Sequence, residues 1–184
     1  MALKRLLIDG FGQLELNQFA APRDGRIEAQ LPLSDDFKEV AAENGMLLAV
    51  DNVNRVVKFP VAGEIFPIAL NYSTEHMYDE RAKGLKNFSL KKGEFLPRLG
   101  YLAIGDKFTT NCLCADDAEF AGIDAVKAAY EEGTMLYGGV SEMGAIKVSA
   151  TKPAEGPVLM AIQGPGAGSM PDGQFAIKFQ VMAV

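Results

Sequence analysis

Along residues 1–33, short apolar stretches (Leu3 to Ile8, Phe11 to Leu16) alternate with Gly10, Gly12, Pro22, Gly25 and Pro32, and no helical period of 3.6 survives those breaks. Leu14 and Leu16 alternate with Glu15 and Asn17, the pattern of a half-buried strand. The pattern predicts an extended N-terminal arm over 1–33 ahead of a compact domain over 34–184. Such an arm must lie against either the protein's own body or a neighbouring subunit to be ordered. From Ser34 to Asn44 a short helix is expected, with Ser34, Asp35 or Asp36 as cap, Phe37, Val40 and Ala41 on one face, and Gly45 as its stop.

Beyond Gly45 the pattern changes to strands, over Met46 to Val50, Arg55 to Phe59 and Ile65 to Asn71, joined by Asp51-Asn52 and by Pro60 to Gly63. Met77 to Leu85 is too charged for a core; Phe88, Leu90 and Phe95 resume apolar spacing around Lys91-Lys92-Gly93. Leu99 to Ile104 and Phe108 to Cys114 flank Gly105-Asp106 and predict a hairpin. A second helix is expected over Asp124 to Glu132, capped by Asp124, with Val126, Ala129 and Tyr130 on its buried face and Gly133 ending it. Met135 to Tyr137, Ala145 to Ala150, Val158 to Ile162 and Phe175 to Val184 complete about ten short strands. The fold class expected is mainly β, a sandwich or barrel-like body with one or two short helices.

Composition narrows the function. The chain has 184 residues and a net charge of -6. One domain of this length buries roughly 70% of its unfolded surface, so neither disulfides nor a structural metal are needed. The acidic excess argues against a binder of phosphate backbones. The only basic concentration, Lys83, Lys86, Lys91 and Lys92, surrounds a Phe88 read as core. No apolar run approaches the roughly 20 residues that span a bilayer, and the apolar run Leu6 to Ile8 is too short for a secretion signal. Cys112 and Cys114 share one face of an extended strand and read as two small buried apolar groups in a reducing compartment.

Three stretches carry candidate chemistry. The single histidine, His76, stands among Glu75, Asp79 and Glu80, an arrangement able to form an acid–base pair or ligate a metal if helical, and otherwise a solvated, self-paired turn. Gly164, Gly166 and Gly168 follow an expected strand but lack the helix and the Lys-Ser/Thr pair of a phosphate loop, so they predict a mobile hairpin loop suited to contacts. Thr109, Thr110 and Ser141 supply hydroxyls without a nucleophile elbow or an assembled triad.

The order of segments resembles that of a known group. An extended N-terminal stretch is followed by Glu43-Asn44-Gly45-Met46-Leu47-Leu48-Ala49-Val50-Asp51 and by Tyr72-Ser73-Thr74-Glu75 with Tyr78-Asp79. Then come Leu85-Lys86-Asn87-Phe88, Gly105-Asp106-Lys107-Phe108-Thr109-Thr110-Asn111 and a closing strand. Together these resemble the small structural proteins of tailed bacteriophages, and within them the decoration, cement or auxiliary head proteins of the capsid. The resemblance spans about residues 40–184 and rests on segment order, without a diagnostic motif. It implies a non-enzymatic virion protein on the capsid surface, assembled in the host cytoplasm. Such a protein binds the major capsid protein as a homo-oligomer, commonly a trimer, without cofactor, metal, nucleic acid or membrane. The arm and the glycine loop then supply the expected partner contacts: Leu6, Leu7, Phe11, Leu14, Leu16, Phe19, Gly164, Gly166 and Gly168. Two alternatives stay open: a phage tail or neck component, and a small β-barrel ligand-binding domain or enzyme using Glu75, His76 and Asp79.

Overall fold

The computed structural model describes residues 3–6, 9–14, 27–28, 31–73, 85–94, 98–166, 170 and 173–184. The protein is mainly β, as the alternation predicts. In one sheet, β1 (Leu3–Arg5), β10 (Leu113–Asp116), β12 (Ile146–Ser149), β11 (Tyr137–Gly139), β13 (Val158–Gly166), β14 (Ala176–Ala183) and β9 (Lys107–Thr110) lie side by side in that order. All of its pairings are antiparallel except β10 with β12. A second, wholly antiparallel sheet runs β2 (Ile27–Glu28), β8 (Leu99–Tyr101), β6 (Ile68–Asn71), β4 (Leu47–Asp51), β5 (Val56–Lys58). A two-stranded ladder joins β3 (Ala42–Glu43) to β7 (Ser89–Leu90).

Strand alternation sorts side chains into two cores. Leu113 and Ala115 of β10, Ile146 and Val148 of β12, Ile177, Phe179 and Val181 of β14, and Phe108 of β9 line the first, with Leu47 and Leu70 from the five-stranded sheet. Their neighbours Leu48, Val50 and Ala69, together with Cys112, Cys114 and Ala145, line the second. β4 and β10 are therefore walls shared between two cores. That explains why β4 is buried at all five positions, in a run without a polar face.

Several local expectations are corrected. Leu99–Tyr101 and Lys107–Thr110 form no hairpin, since one joins the five-stranded sheet and the other the seven-stranded one. The turn between them exists, with Gly105 at φ +95° and the Asp106 carboxylate accepting the Ala103 N–H at 2.8 Å. Gly105 N–H donates instead to the carbonyl of Val181 at 2.9 Å, which carries the chain across to β14. The expected strand Phe108 to Cys114 is two strands that turn at Asn111–Cys112. The helix expected over Ser34 to Asn44 is a single 3-10 turn, Asp35–Phe37, capped by the Ser34 hydroxyl. Phe37 and Ala42 are both drawn into the second core, a spacing of five that no helical stripe satisfies, and Val40 stays 49% exposed. The other helix forms as α1 (Ile123–Glu131), one residue early; Gly122 occupies the cap position and Asp124 the first turn. Val126 is buried, Ala129 and Tyr130 pack on the first core, and Gly133, at φ +86°, follows its end.

The described part of 1–33 lies on the protein's own body. β9 and β10 are joined by only two residues yet occupy opposite flanks of the seven-stranded sheet, so the sheet curls until its flanks approach at Asn111–Cys112. The described residues 3–6 and 9–14 lie across that seam. β1 pairs with β10 on one flank, and Leu14 bridges Thr110 of β9 on the other.

Candidate functional site

Charged and polar groups hold the seam closed. Arg5 donates twice to the Glu43 carboxylate, at 3.1 and 3.0 Å. Gly12 N–H donates to the same carboxylate at 2.5 Å. Gln13 N–H donates to Asn111 Oδ1 at 2.6 Å, and the Gln13 carbonyl accepts from the Thr110 hydroxyl at 2.6 Å. Asp9 and Gln174 exchange two hydrogen bonds of 3.0 Å, and Phe11 N–H donates to the Lys86 carbonyl at 2.7 Å. Burial works against the charge of Arg5, but the Cys112 sulfur, charged only in strong base, and the hydrogen bonds and charge of the Glu43 carboxylate outweigh it, so the guanidinium holds its proton more firmly than a free arginine.

Both thiols lie beneath this segment. Cys112 and Cys114 are unbridged and buried, as their spacing predicts. Burial pushes the Cys112 thiol up to about 12 and raises Cys114 as well. They are neutral groups at ordinary pH, without the thiolate that nucleophilic or redox chemistry needs. A Cβ at Gly12 would lie 2.7 Å from the Cys112 Cβ and 2.8 Å from Glu43 Oε2, so only glycine fits there.

A second feature faces outward. The loop over 59–67 is braced from within: Lys58 pairs with Glu64 at 2.8 Å, its ammonium lies 4.4 Å over the Phe66 ring, and Glu64 N–H donates to the Val61 carbonyl. The hydrogen bond to Glu64 holds the Lys58 ammonium above its usual pKa. In the turn that joins β4 to β5, Asn54 donates through its backbone and side-chain N–H groups to Asp51 at 2.8 and 2.9 Å, and the backbone bond keeps that carboxyl below its usual range. So ordered, the loop holds Ile65 in water at 96% exposure and Val61 at 56%. Beside it opens a cleft of about 310 Å³ where the loop meets the turns at 140–142 and 155–156; Ile68 and Val140 give it apolar surface and Glu142 and Glu155 a negative charge. Ser141, also on its wall, is buried and donates its hydroxyl to the carbonyl of Ala145, so it is not a free nucleophile.

The residues singled out in the sequence do not converge. Leu6 and Leu14 are core residues whose side chains are spent on the protein's own interior rather than offered to a partner. Phe11 is half-buried at the seam. Leu7, Leu16, Phe19, Gly168, Glu75, His76 and Asp79 lie outside the described residues. Gly164 and Gly166 continue strand β13, which reaches Gly166 opposite Ala176 through three register shifts; a strand stands there in place of the expected loop. Lys86 and Lys92 are paired with Asp9 and Asp35, and do not form a basic patch. Among the described residues, no group of three or more His, Cys, Asp or Glu is placed to hold a metal ion, and no helix is long and apolar enough to cross a membrane.

Sequence reasoning missed the Arg5–Glu43 pair and the outward loop. The signals were charge set into two apolar runs, Arg5 beside Lys4 in Leu3 to Ile8 and Glu43 in Ala41 to Val50, and two apolar residues within a turn-rich loop. Comparison with protein-family models, with curated proteins and with solved structures finds no match to this chain.

Proposed function

We propose that this protein is a structural component of a tailed-phage head, which binds the outside of the assembled capsid and braces neighbouring copies of the major capsid protein. The observation that carries this reading is the loop 59–67. An isoleucine held almost fully in water by an ion pair, a cation–π contact and a turn loses apolar hydration free energy in the isolated protein, and recovers it when a partner covers the side chain. The acidic cleft beside it suits a basic, aliphatic-stemmed side chain of that partner. The segment order described above supports the same reading, and the contact surface it implies is this loop rather than Leu6 and Leu14.

The test is cosedimentation of the purified protein with undecorated capsids. Wild type is expected to pellet with them in fixed stoichiometry. Ile65→Asp is expected to lose at least tenfold in affinity while its own melting temperature is unchanged. Absence of cosedimentation by the wild type contradicts the proposal; equal binding by Ile65→Asp contradicts the assignment of the surface.

A further inference from the structure

We propose that Asn44-Gly45 is a modification site, a deamidating pair that the native fold holds inert, so that a chain which opens there is marked irreversibly. The inference is independent of the capsid reading. Asn44 is the one asparagine of the chain followed by glycine. A glycine lacks the Cβ that hinders its own nitrogen from reaching the preceding side chain, and it has the widest choice of backbone angles. In an open chain the Gly45 nitrogen gives up its proton to a solvent base and attacks the Asn44 carboxamide carbon. The new N–C bond closes a succinimide as the amide C–N bond breaks and ammonia leaves. Water, the one co-reactant consumed, then opens the ring to aspartate or isoaspartate.

The turn cannot give up its glycine. The Glu43 carbonyl accepts the Met46 N–H across it, Gly45 sits at φ +87°, and a Cβ there would run into the Thr110 hydroxyl. The fold instead blocks the reaction at three points. The Gly45 N–H is spent on the Asn71 carbonyl at 2.8 Å, so the nucleophile keeps its proton. Asn44 is fully buried, and neither its carboxamide nitrogen nor its oxygen has a hydrogen-bond partner among the described residues. Charge developing on that oxygen during attack therefore meets no donor, where a solvated amide has water. The same burial keeps out the base and the water that begin and finish the sequence.

Conversion is one-way for the fold. Aspartate at 44 puts a second carboxylate into the interior beside Glu43, whose own charge already takes up the Arg5 guanidinium. Isoaspartate also lengthens the backbone of a turn that Asn71 holds twice, through its side-chain amide to the Glu43 carbonyl and through its own carbonyl to the Gly45 N–H.

Peptide mass spectrometry of the full-length protein, kept at neutral pH with and without denaturing urea, tests this. In urea Asn44 is expected to convert ahead of every other asparagine and at least tenfold faster than in the native protein. Equal rates in the two conditions, or no preference for Asn44 in urea, would overturn the proposal. The native protein is expected to convert in proportion to its open fraction. Gly12→Ala crowds the Glu43 carboxylate and is expected to raise the native rate at least fivefold; if that variant does not fold, urea below the unfolding transition is applied to the wild type with the same expectation. A native rate that stays level overturns the gating. Conversion adds a negative charge, so ion exchange separates marked from unmarked chains. On removal of urea the unmarked chains are expected to regain the native circular dichroism spectrum and the marked chains to fail, and equal recovery of both overturns the irreversible mark.

Discussion

Cys112 and Gly12 show how closely the seam is fitted, and each sets an expectation. The native state keeps the Cys112 proton up to about pH 12, whereas an unfolded thiol loses it near pH 8.5. Between those values the native protein binds more protons than the unfolded chain, so this contribution to stability is intact below about pH 8.5 and is lost as pH rises, by up to about 1.4 kcal/mol per pH unit. Urea unfolding at pH 7, 9 and 10 is expected to show a steeper decline in wild type than in Cys112→Ala; parallel declines would contradict the assigned burial. At Gly12 an added methyl meets Cys112 and Glu43 below 3 Å, and Gly12→Ala is expected to cost about 1–3 kcal/mol in thermal or urea denaturation. Neither expectation was available from composition. That two cysteines at i and i+2 are buried was legible from strand geometry alone, but what presses on them comes from a residue a hundred positions away.

At the scale of elements, the N-terminal segment changes most between sequence and structure. Its apolar spacing was readable as an extended stretch that must lie against something, and its described residues lie across the protein's own seam. Leu14 is fully buried in the first core, so Leu14→Ala is expected to destabilise the isolated protein by about 2–5 kcal/mol. Removing residues 1–14 is expected to lower its melting temperature by many degrees. An unchanged melting temperature in calorimetry would mean that the seam does not need its staple. Elements with local signals were legible: β4, β5, β12, β14 and α1 follow from alternation, helical spacing and the stop at Gly133. The failures share one cause. Gly105-Asp106 specifies a turn but not which sheet receives each arm, and that choice is made by the Val181 backbone, some 75 residues on. Ser34-Asp35-Asp36 likewise starts a helical turn that the packing of Phe37 and Ala42 then ends.

For the whole molecule, two cores share β4 and β10, and one braced loop carries apolar side chains outward. The surface proposed for the capsid was illegible in the sequence because Ile65 and Val61 read as strand and turn residues like many others; only the ion pair and ring contact that hold the loop show that their exposure is built in. Stabilisation of the lattice then follows from mass action, since a protein that binds assembled capsid and not its dissociated subunits raises the free energy of rupture by an amount that grows with its free concentration. Thermal rupture of undecorated, DNA-filled capsids, measured with and without this protein, decides whether it braces the shell. The rupture temperature is expected to rise with protein concentration to a plateau, and to rise less with Ile65→Asp at equal concentration. A rupture temperature indifferent to the protein would contradict it.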